Sequence, residues 1–178
     1  MHIEYECTML EVNKEELENK LKSLGAIKKG DYFQKRYTYN FLPDVKGKWL
    51  RLRTNGEVST LAIKNITDKN LIGGTQELEV EVSSFEDTRN ILEELGLKHN
   101  NYQENKRTVY VLDEVEISID TWPMIPTYAE VEGKCEEDVL KVIDLIGLDY
   151  KVTNFDVTSI YEEIYGIKIL NIKNLKFD

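Results

Sequence analysis

The stretch IEYECTM, residues 3–9, places Glu4, Glu6 and Thr8 at alternate positions with apolar or aromatic side chains between them. Side chains two residues apart in a β-strand point to the same face, so the stretch predicts a strand with one acidic and one apolar face. Carboxylates stacked in this way repel one another unless cations lie among them. The pattern therefore predicts a strand that organises metal ions.

The same alternation recurs further along the chain, in QELEVEV (76–82) and YAEVEG (128–133). Other stretches carry basic residues in the same phase, namely WLRLR (49–53) and TLAIK (60–64). Acidic side chains thus occupy some whole strands and basic side chains occupy others, whereas a solvated sheet face usually mixes the two signs. This segregation favours a ligand that is held by metal ions on one side and by protein cations on the other.

Period-two alternation predicts a β-rich α+β protein. The predicted strands cover residues 2–10, 31–41, 48–54, 58–65, 75–82, 105–112, 115–121 and 127–133, with a weaker candidate at 98–103. The pair Asn55-Gly56 predicts a hairpin, because both residue types accept the positive φ of a tight turn. Asp113-Glu114 predicts a second hairpin.

Helical periodicity is found in two segments that begin with a capping residue, Asn13 and Ser84, and end at Gly25 and Gly96. A third helix is predicted over residues 136–147, and a shorter one around Tyr161 in the tail 156–178. We expect the helices to cover the uniformly apolar face of the sheet. The charged face either lies in solvent on a half-buried antiparallel sheet or becomes the interior of a closed barrel, and the pattern alone leaves both open.

Composition restricts the class of protein. A chain of 178 residues with 41% hydrophobic side chains is expected to form one domain, spanning residues 1–178. The net charge of −10 disfavours a nucleic-acid binder. No apolar run is long enough to span a membrane, and the acidic N-terminus does not resemble a signal peptide. Cys7 and Cys135 lack CxxC spacing, so free thiols in the cytoplasm are expected.

A polyphosphate is the kind of ligand that suits two oppositely charged walls. Mg²⁺ is typically held by one or two carboxylates together with phosphate oxygens. Arg51 and Arg53 could hold the remaining oxygens through their forked N–H groups, and Lys64 could do so as a point charge. The alternative for the two arginines is simple salt bridging to neighbouring glutamates. No P-loop, GxSxG motif or histidine triad offers another chemistry.

These motifs, taken in order, resemble the CYTH superfamily, the triphosphate tunnel metalloenzymes, over about residues 2–147. The resemblance is carried by Glu4-x-Glu6, LGA (24–26), WLRLR, TLAIK, ELEVEV, Lys106-Arg107, ISID (117–120) and YAEVEG. The segment DTWPMIPTYAEVEG, residues 120–133, is similar to the class IV adenylate cyclase-like branch.

The resemblance implies a closed eight-stranded antiparallel barrel with helices outside, and a tunnel that binds a triphosphate with Mg²⁺ or Mn²⁺. It implies a metal-dependent enzyme that either hydrolyses a nucleoside triphosphate, thiamine triphosphate or tripolyphosphate, or cyclises ATP to cyclic AMP and pyrophosphate. The implied metal ligands are Glu4, Glu6, Asp120, Glu130 and Glu132. The implied phosphate-binding residues are Arg51, Arg53, Lys64, Lys106 and Arg107, with Glu4, Glu6, Lys64 and Arg107 catalytic and Glu77 and Glu79 supporting.

Two positions depart from the family pattern. The N-terminal motif is normally Glu-x-Glu-x-Lys, whereas this chain has the uncharged Thr8 at the last position. Lys106 is out of phase by one residue and would point to the opposite face unless a bulge intervened. Two other functions stay open: a non-catalytic module that binds a nucleotide or polyphosphate, and a lipocalin-like barrel with an apolar ligand. A homodimer is compatible with the sequence.

Overall fold

The computed structural model describes residues 1–178, and strands account for most of its regular structure. Eight strands form the main sheet. They are β1 (His2–Met9), β2 (Ile27–Asn40), β3 (Lys48–Thr54), β4 (Ser59–Ile66), β5 (Thr75–Val82), β6 (His99–Leu112), β7 (Val115–Thr121) and β8 (Tyr128–Gly133).

The eight strands close on themselves in the order β6-β2-β3-β4-β5-β1-β8-β7, because β7 also pairs with β6. Every one of these pairings is antiparallel. The expected closed eight-stranded barrel is therefore confirmed, and the open sheet with a solvated charged face is wrong. Closure turns one face of every strand inward, and here that face is the charged one.

Both predicted hairpins form, in different ways. Asp113 and Glu114 have φ of 49° and 67°, the left-handed pair that a tight turn requires. In the longer β3–β4 loop, Gly56 alone has a positive φ, of 93°. The side chain of Asn55 instead accepts hydrogen bonds from the N–H groups of Glu57 and Val58, at 2.9 and 2.8 Å.

Two helices, α1 (Lys14–Ser23) and α3 (Glu136–Ile146), form the main core with the outer faces of β1, β7 and β8. The side chain of Asn13 accepts a hydrogen bond from the N–H of Glu16, as the sequence predicts for the start of α1. Leu17 and Leu21 on α1 are fully buried, as are Val139 and Val142 on α3. These contacts fix the strands that carry most of the acidic side chains.

A third helix, α2 (Phe85–Glu94), covers β3 from outside and is capped by Ser84, which accepts from the N–H of Asp87. Its Leu92 packs with Tyr39, Leu50 and Leu52 in a second cluster. This cluster supports the strand that carries the Arg51 and Arg53 side chains.

The helices do not cover the whole apolar face, which corrects the expectation from the sequence. Ile3 on β1 is 49% exposed, and Leu78 and Val80 on β5 are 46% and 55% exposed. The connections before and after β5 place no helix over this part of the barrel, so its outer apolar side chains face solvent. None of the helices is long and apolar enough to cross a membrane.

The C-terminal segment crosses one end of the barrel. It contains β9 (Val152–Thr153), α4 (Val157–Ser159) with a following π-helical turn (Ile160–Ile164), a 3₁₀ turn (Ile169–Asn171) and β10 (Asn174–Leu175). Strand β9 pairs with the end of β1, and β10 pairs in parallel with β6. The predicted helix around Tyr161 is thus short, and the segment is held by strand pairing at both ends.

We expect Leu21→Ala to lower the free energy of unfolding by about 2–5 kcal/mol, since it leaves a cavity in a fully buried contact of α1. Chemical denaturation followed by circular dichroism measures this value. Leu140→Ala on α3 is the matched control, because Leu140 is 45% exposed. Equal losses in the two variants would show that α1 does not support the core as described.

Candidate functional site: a charged tunnel

A cavity of about 640 Å³ runs through the barrel and is lined by 30 residues, of which only 7 are hydrophobic. The charged faces that the sequence analysis identified on β1, β3, β5 and β8 all contribute to it. An apolar ligand would bury these charges without compensation. The lipocalin-like alternative is therefore wrong for this barrel.

One wall of the tunnel is acidic and is formed by the neighbouring strands β1, β8 and β7. In the strand register Glu6 lies opposite Glu132, which in turn lies opposite Glu116 on β7. Glu4 continues the row on β1, and Glu130 continues it on β8. Like charges directly opposite each other destabilise strand pairing, so this wall requires cations to balance it.

Burial and mutual repulsion raise the pKa values of three carboxyl groups on the acidic wall. Burial raises the pKa of Glu4 to about 8, an effect that Lys64 partly offsets. Burial also raises the pKa of Glu6 to about 7, with further repulsion from Glu130 and Glu132. The pKa of Glu132 is also raised to about 7, by burial of the carboxyl and by repulsion, mainly from Glu4 and Glu116.

The opposite wall is basic and is formed by β6, β2 and β3. Arg51 Nη2 lies 2.8 Å from Glu77 Oε1 and 3.0 Å from Glu79 Oε2, and Arg53 Nη2 lies 3.4 Å from Glu79 Oε2. The salt bridges that the sequence offered as the alternative for these arginines are therefore present. Repulsion by Arg51, together with burial, lowers the pKa of Arg53 to about 10, so these carboxylates compensate the pair only in part.

Arg107 joins the two walls. Its Nε donates to Asp120 Oδ1 at 3.0 Å, and its Nη2 lies 2.5 Å from both Asp120 Oδ2 and Glu130 Oε2. Asp120 is fully buried and also accepts from Asn105 Nδ2 at 2.8 Å. Although burial opposes the charge, Asp120 and Glu130 raise the pKa of Arg107 well above its usual value. Arg107 is thus a fixed cation.

Lys64 is the cation that meets the N-terminal end of the acidic wall. Its Nζ lies 2.9 Å from Glu4 Oε2 and 3.9 Å from Glu77 Oε1. The barrel therefore brings together the tunnel residues predicted from sequence, with one exception among the cations.

That exception is Lys106, which lies on the outside of the barrel. Its Nζ stacks over the ring of Phe177 at 4.7 Å from the centroid, while the next residue, Arg107, points into the tunnel. The register with β7 is continuous through both residues, so no bulge turns Lys106 inward. The assignment of Lys106 to phosphate binding is therefore wrong, because the alternation of side chains along β6 places Lys106 on the outer face of the barrel.

Thr8 lies inside the barrel, where the family pattern has lysine, and it contacts the C-terminal segment. Its hydroxyl donates to the carbonyl oxygen of Phe155 at 3.3 Å, and β9 pairs with β1 at this residue. The side chain is almost completely buried. The space beside position 8 is thus occupied by backbone of the C-terminal segment.

The sequence profile of the CYTH domain family matches residues 2–145 of the chain. The protein belongs to the CYTH domain family. No curated protein sequence is significantly similar to it. The C-terminal segment lies beyond the matched residues.

Solved structures with the same fold include the PH1012 protein of Pyrococcus horikoshii, 25% identical, with a TM-score of 0.72 over 84% of this chain and 94% of that one. A Vibrio parahaemolyticus protein proposed to be an adenylate cyclase is 15% identical, with a TM-score of 0.74 over 93% and 98%. A proposed adenylyl cyclase from Hippeastrum, HpAC1, whose dominant activity is that of a triphosphatase, is 16% identical, with a TM-score of 0.64 over 92% and 96%. The last two likenesses establish the fold.

Family membership implies a divalent metal ion, and the acidic wall fits one. No three carboxylate groups converge into a ready-made coordination shell. Mg²⁺ does not need such a shell, because it keeps several waters and takes oxygens from bound phosphate. A bound cation would offset the burial and repulsion that raise the pKa values of Glu4 and Glu6.

The sequence analysis missed a group of polar residues inside β2 and β6. Arg36 is only 5% exposed and lines the tunnel beside Arg53, its partner across the β2–β3 pair. Buried amide side chains surround it, namely Gln34, Asn101, Gln103 and Asn105. The polar residues alternate with period two in QKRYT (34–38) and NYQEN (101–105). This pattern alone does not distinguish a row that faces solvent from a row that faces the interior of a closed barrel.

The raised pKa values predict how stability depends on pH. The folded protein keeps protons on Glu4 and Glu6 that the unfolded chain loses near its usual value of 4.5. Their contribution is therefore complete below about pH 4.5 and is lost as the pH rises to about 8. We expect the melting temperature of the protein in EDTA to fall from about pH 5.5 to about pH 8.5, measured by scanning calorimetry.

Glu4→Gln removes a carboxyl whose pKa is raised to about 8, so the melting temperature of this variant is expected to fall less over the same range and to exceed that of the wild type at high pH. Glu81→Gln, an exposed acid on β5, is the control. If Glu4→Gln followed the wild-type curve, Glu4 would not be the proton-holding group.

Proposed function

We propose that the protein is a divalent-metal-dependent enzyme that acts on a triphosphate group bound in its tunnel. The observation that supports this most directly is the separation of the tunnel into an acidic wall on β1, β7 and β8 and a basic wall on β2, β3 and β6. A metal-bound triphosphate presents cations to the first wall and phosphate oxygens to the second. The cavity volume of about 640 Å³ accommodates such a group.

The proposed phosphate-binding residues are Arg51, Arg53 and Arg107 on the basic wall, together with Lys64 on the adjacent strand β4. Arg51 and Arg53 are held by Glu77 and Glu79, which keep the guanidinium groups in place over the cavity. A phosphate oxygen completes the compensation of Arg53, whose pKa is lowered by its basic neighbours. The two glutamates are therefore supporting residues that orient the binding groups.

On the acidic wall, Glu4, Glu6, Glu130 and Glu132 are the proposed metal ligands. The family resemblance also offered Asp120, but both of its oxygens already accept hydrogen bonds from Arg107, and one accepts from Asn105 as well. We therefore propose that Asp120 positions Arg107. The bound ion, Mg²⁺ or Mn²⁺, would neutralise phosphate charge and orient the nucleophile.

Arg107 and Lys64 are the proposed catalytic cations, since each contacts the acidic wall and reaches into the cavity. They hold phosphate oxygens where negative charge develops during in-line attack. Attack by water at the terminal phosphorus releases orthophosphate. Attack by the ribose 3′-hydroxyl of ATP at the α-phosphorus releases pyrophosphate and cyclic AMP. Glu4 and Glu6 hold the metal in either reaction.

The class of substrate is tested by incubating the protein with tripolyphosphate, ATP, GTP and thiamine triphosphate in Mg²⁺ or Mn²⁺. We expect turnover that stops with EDTA, and the products separate a triphosphatase from a cyclase. Glu6→Gln is expected to weaken metal affinity by on the order of tenfold to a hundredfold, measured by titrating activity with the metal. Tight binding of tripolyphosphate by the wild type without any turnover would favour the non-catalytic module instead.

Arg107 and Lys106 offer a matched pair, because they are adjacent and lie on opposite faces of β6. We expect Arg107→Met to raise the KM for the triphosphate by about tenfold or more, the loss of a charge-assisted hydrogen bond. Lys106→Met is expected to leave KM within about twofold, as for a surface change. Steady-state kinetics measure both. Equal effects would contradict the orientation of β6.

Both cysteines are free thiols, Cys7 buried and Cys135 partly exposed. We infer that the protein works in a reducing compartment such as the cytoplasm, on a small molecule and without nucleic acid. The acidic net charge of −10 supports this, since phosphate backbones would be repelled outside the tunnel.

A further inference from the structure

Arg36 is a buried cation without a carboxylate partner. Its side chain is on β2, is 5% exposed and lines the tunnel. Every other arginine of the chain lies within 4 Å of a carboxylate oxygen, whereas Arg36 forms no salt bridge. Burying a charge without a counterion is costly, and such groups normally have a partner of opposite sign.

The protein gives Arg36 only neutral acceptors. Its Nη2 donates to Gln34 Oε1 at 2.8 Å and also to Asn105 Oδ1. The buried Nε has no hydrogen-bond partner, and no protein acceptor contacts Nη1. Two of the three nitrogen atoms of the guanidinium therefore have unused donors, in a side chain that lines the cavity. Burial, followed by repulsion from Arg51, Arg53 and Arg107, lowers the pKa of Arg36 to about 9.

The guanidinium is nevertheless held in a fixed orientation. Its central carbon lies 4.6 Å from the centroid of the Trp122 ring, a cation–π contact. Trp122 is almost fully buried and packs edge-on against Tyr161 of the C-terminal segment, with centroids 6.2 Å apart. The hydroxyl of Tyr161 donates to the carbonyl oxygen of Pro123 at 2.5 Å. A segment outside the matched family domain thus packs against the ring on which Arg36 lies.

We propose that Arg36 is a further substrate-binding residue, whose unpaired N–H groups bind an oxygen of the triphosphate. This rests on the proposed function, because it requires a polyphosphate in the tunnel. Arg36 is the register partner of Arg53 and lies on β2, between the strands that carry Arg53 and Arg107. The C-terminal segment contributes indirectly, by fixing Trp122 beneath the guanidinium. The alternative role is structural: a brace that acts through Asn105 on Asp120 and Arg107.

The two roles predict opposite effects of Arg36→Met. A substrate-binding arginine is an uncompensated charge in the protein alone, so its replacement leaves the melting temperature unchanged or raises it. The variant then loses most of the shift in melting temperature that tripolyphosphate produces with Mg²⁺, and its KM rises by about tenfold or more. Arg36→Lys keeps the charge but loses the forked N–H groups, so its KM and its shift in melting temperature are expected to lie between those of the wild type and of Arg36→Met.

Lys35→Met is the matched control, since Lys35 precedes Arg36 on the same strand and is exposed outside the barrel. It is expected to match the wild type in melting temperature and KM. A full tripolyphosphate shift and an unchanged KM in Arg36→Met would overturn the proposal. A melting temperature several degrees lower, with an unchanged KM in Arg36→Lys, would establish the structural brace instead.

The result also separates this proposal from the one on which it rests. If wild-type protein binds and converts a triphosphate while Arg36→Met does so equally well, only the role of Arg36 fails. If the wild type neither binds tripolyphosphate nor converts any triphosphate, the proposed function fails and the role of Arg36 fails with it. Wild-type turnover together with a raised KM in Arg36→Met supports both.

Discussion

The central constraint on this structure is the repulsion between carboxylates, because closure of the barrel places them together in its interior. The strand register places Glu6 opposite Glu132, and Glu132 opposite Glu116, with no basic residue between them. In water this repulsion would be weak, but inside the barrel burial strengthens it and raises the pKa values of Glu4 and Glu6. An interior of this kind is stable only if cations balance it, and the protein supplies too few on that side.

The basic side of the tunnel has the complementary problem. Arg51, Arg53 and Arg107 have carboxylate partners, but Arg36 has none, and the pKa values of Arg36 and Arg53 are lowered. The salt bridges of Lys64 and Arg107 to the acidic wall leave Glu6 and Glu132 on that wall, and Arg36 on the other, without a partner of opposite charge. A metal-bound polyphosphate would satisfy both walls together. This two-sided deficit is a stronger argument for the ligand than either wall alone.

Period two and helix capping made most of the fold readable from the sequence. Asn13 and Ser84 cap helices where expected, and the charged rows of β1, β3, β5 and β8 all point into the tunnel. These features are local, so they can be read without knowing the fold. The coverage of the outer face could not be read in the same way, because it depends on where the connections place each helix.

The wrong and missing predictions from the sequence share a physical cause. Inside a closed barrel a buried row can be polar, so Asn101 and Asn105 resembled a surface or loop, and one 14-residue strand, β6, was predicted as two pieces. Arg36 was missed for the same reason. The error at Lys106 is the opposite one. The family resemblance assigned this residue to the site, although its position in the period-two alternation places it on the outer face. Register is decisive, because a shift of one residue changes the face.

The C-terminal segment contributes to both walls of the tunnel, directly at Thr8 and through Trp122 at Arg36. A lysine at position 8 would add a cation to the acidic wall, but here the neighbouring space is taken by β9 and by the Phe155 carbonyl that accepts from Thr8. The same C-terminal segment packs Tyr161 on Trp122, which seats a cation on the basic wall. The segment thus fills the space beside an uncharged residue on one wall and supports a buried cation on the other. Without a lysine at position 8 the acidic wall would depend more fully on a bound metal ion, while Arg36 would let the basic wall hold one more phosphate oxygen directly.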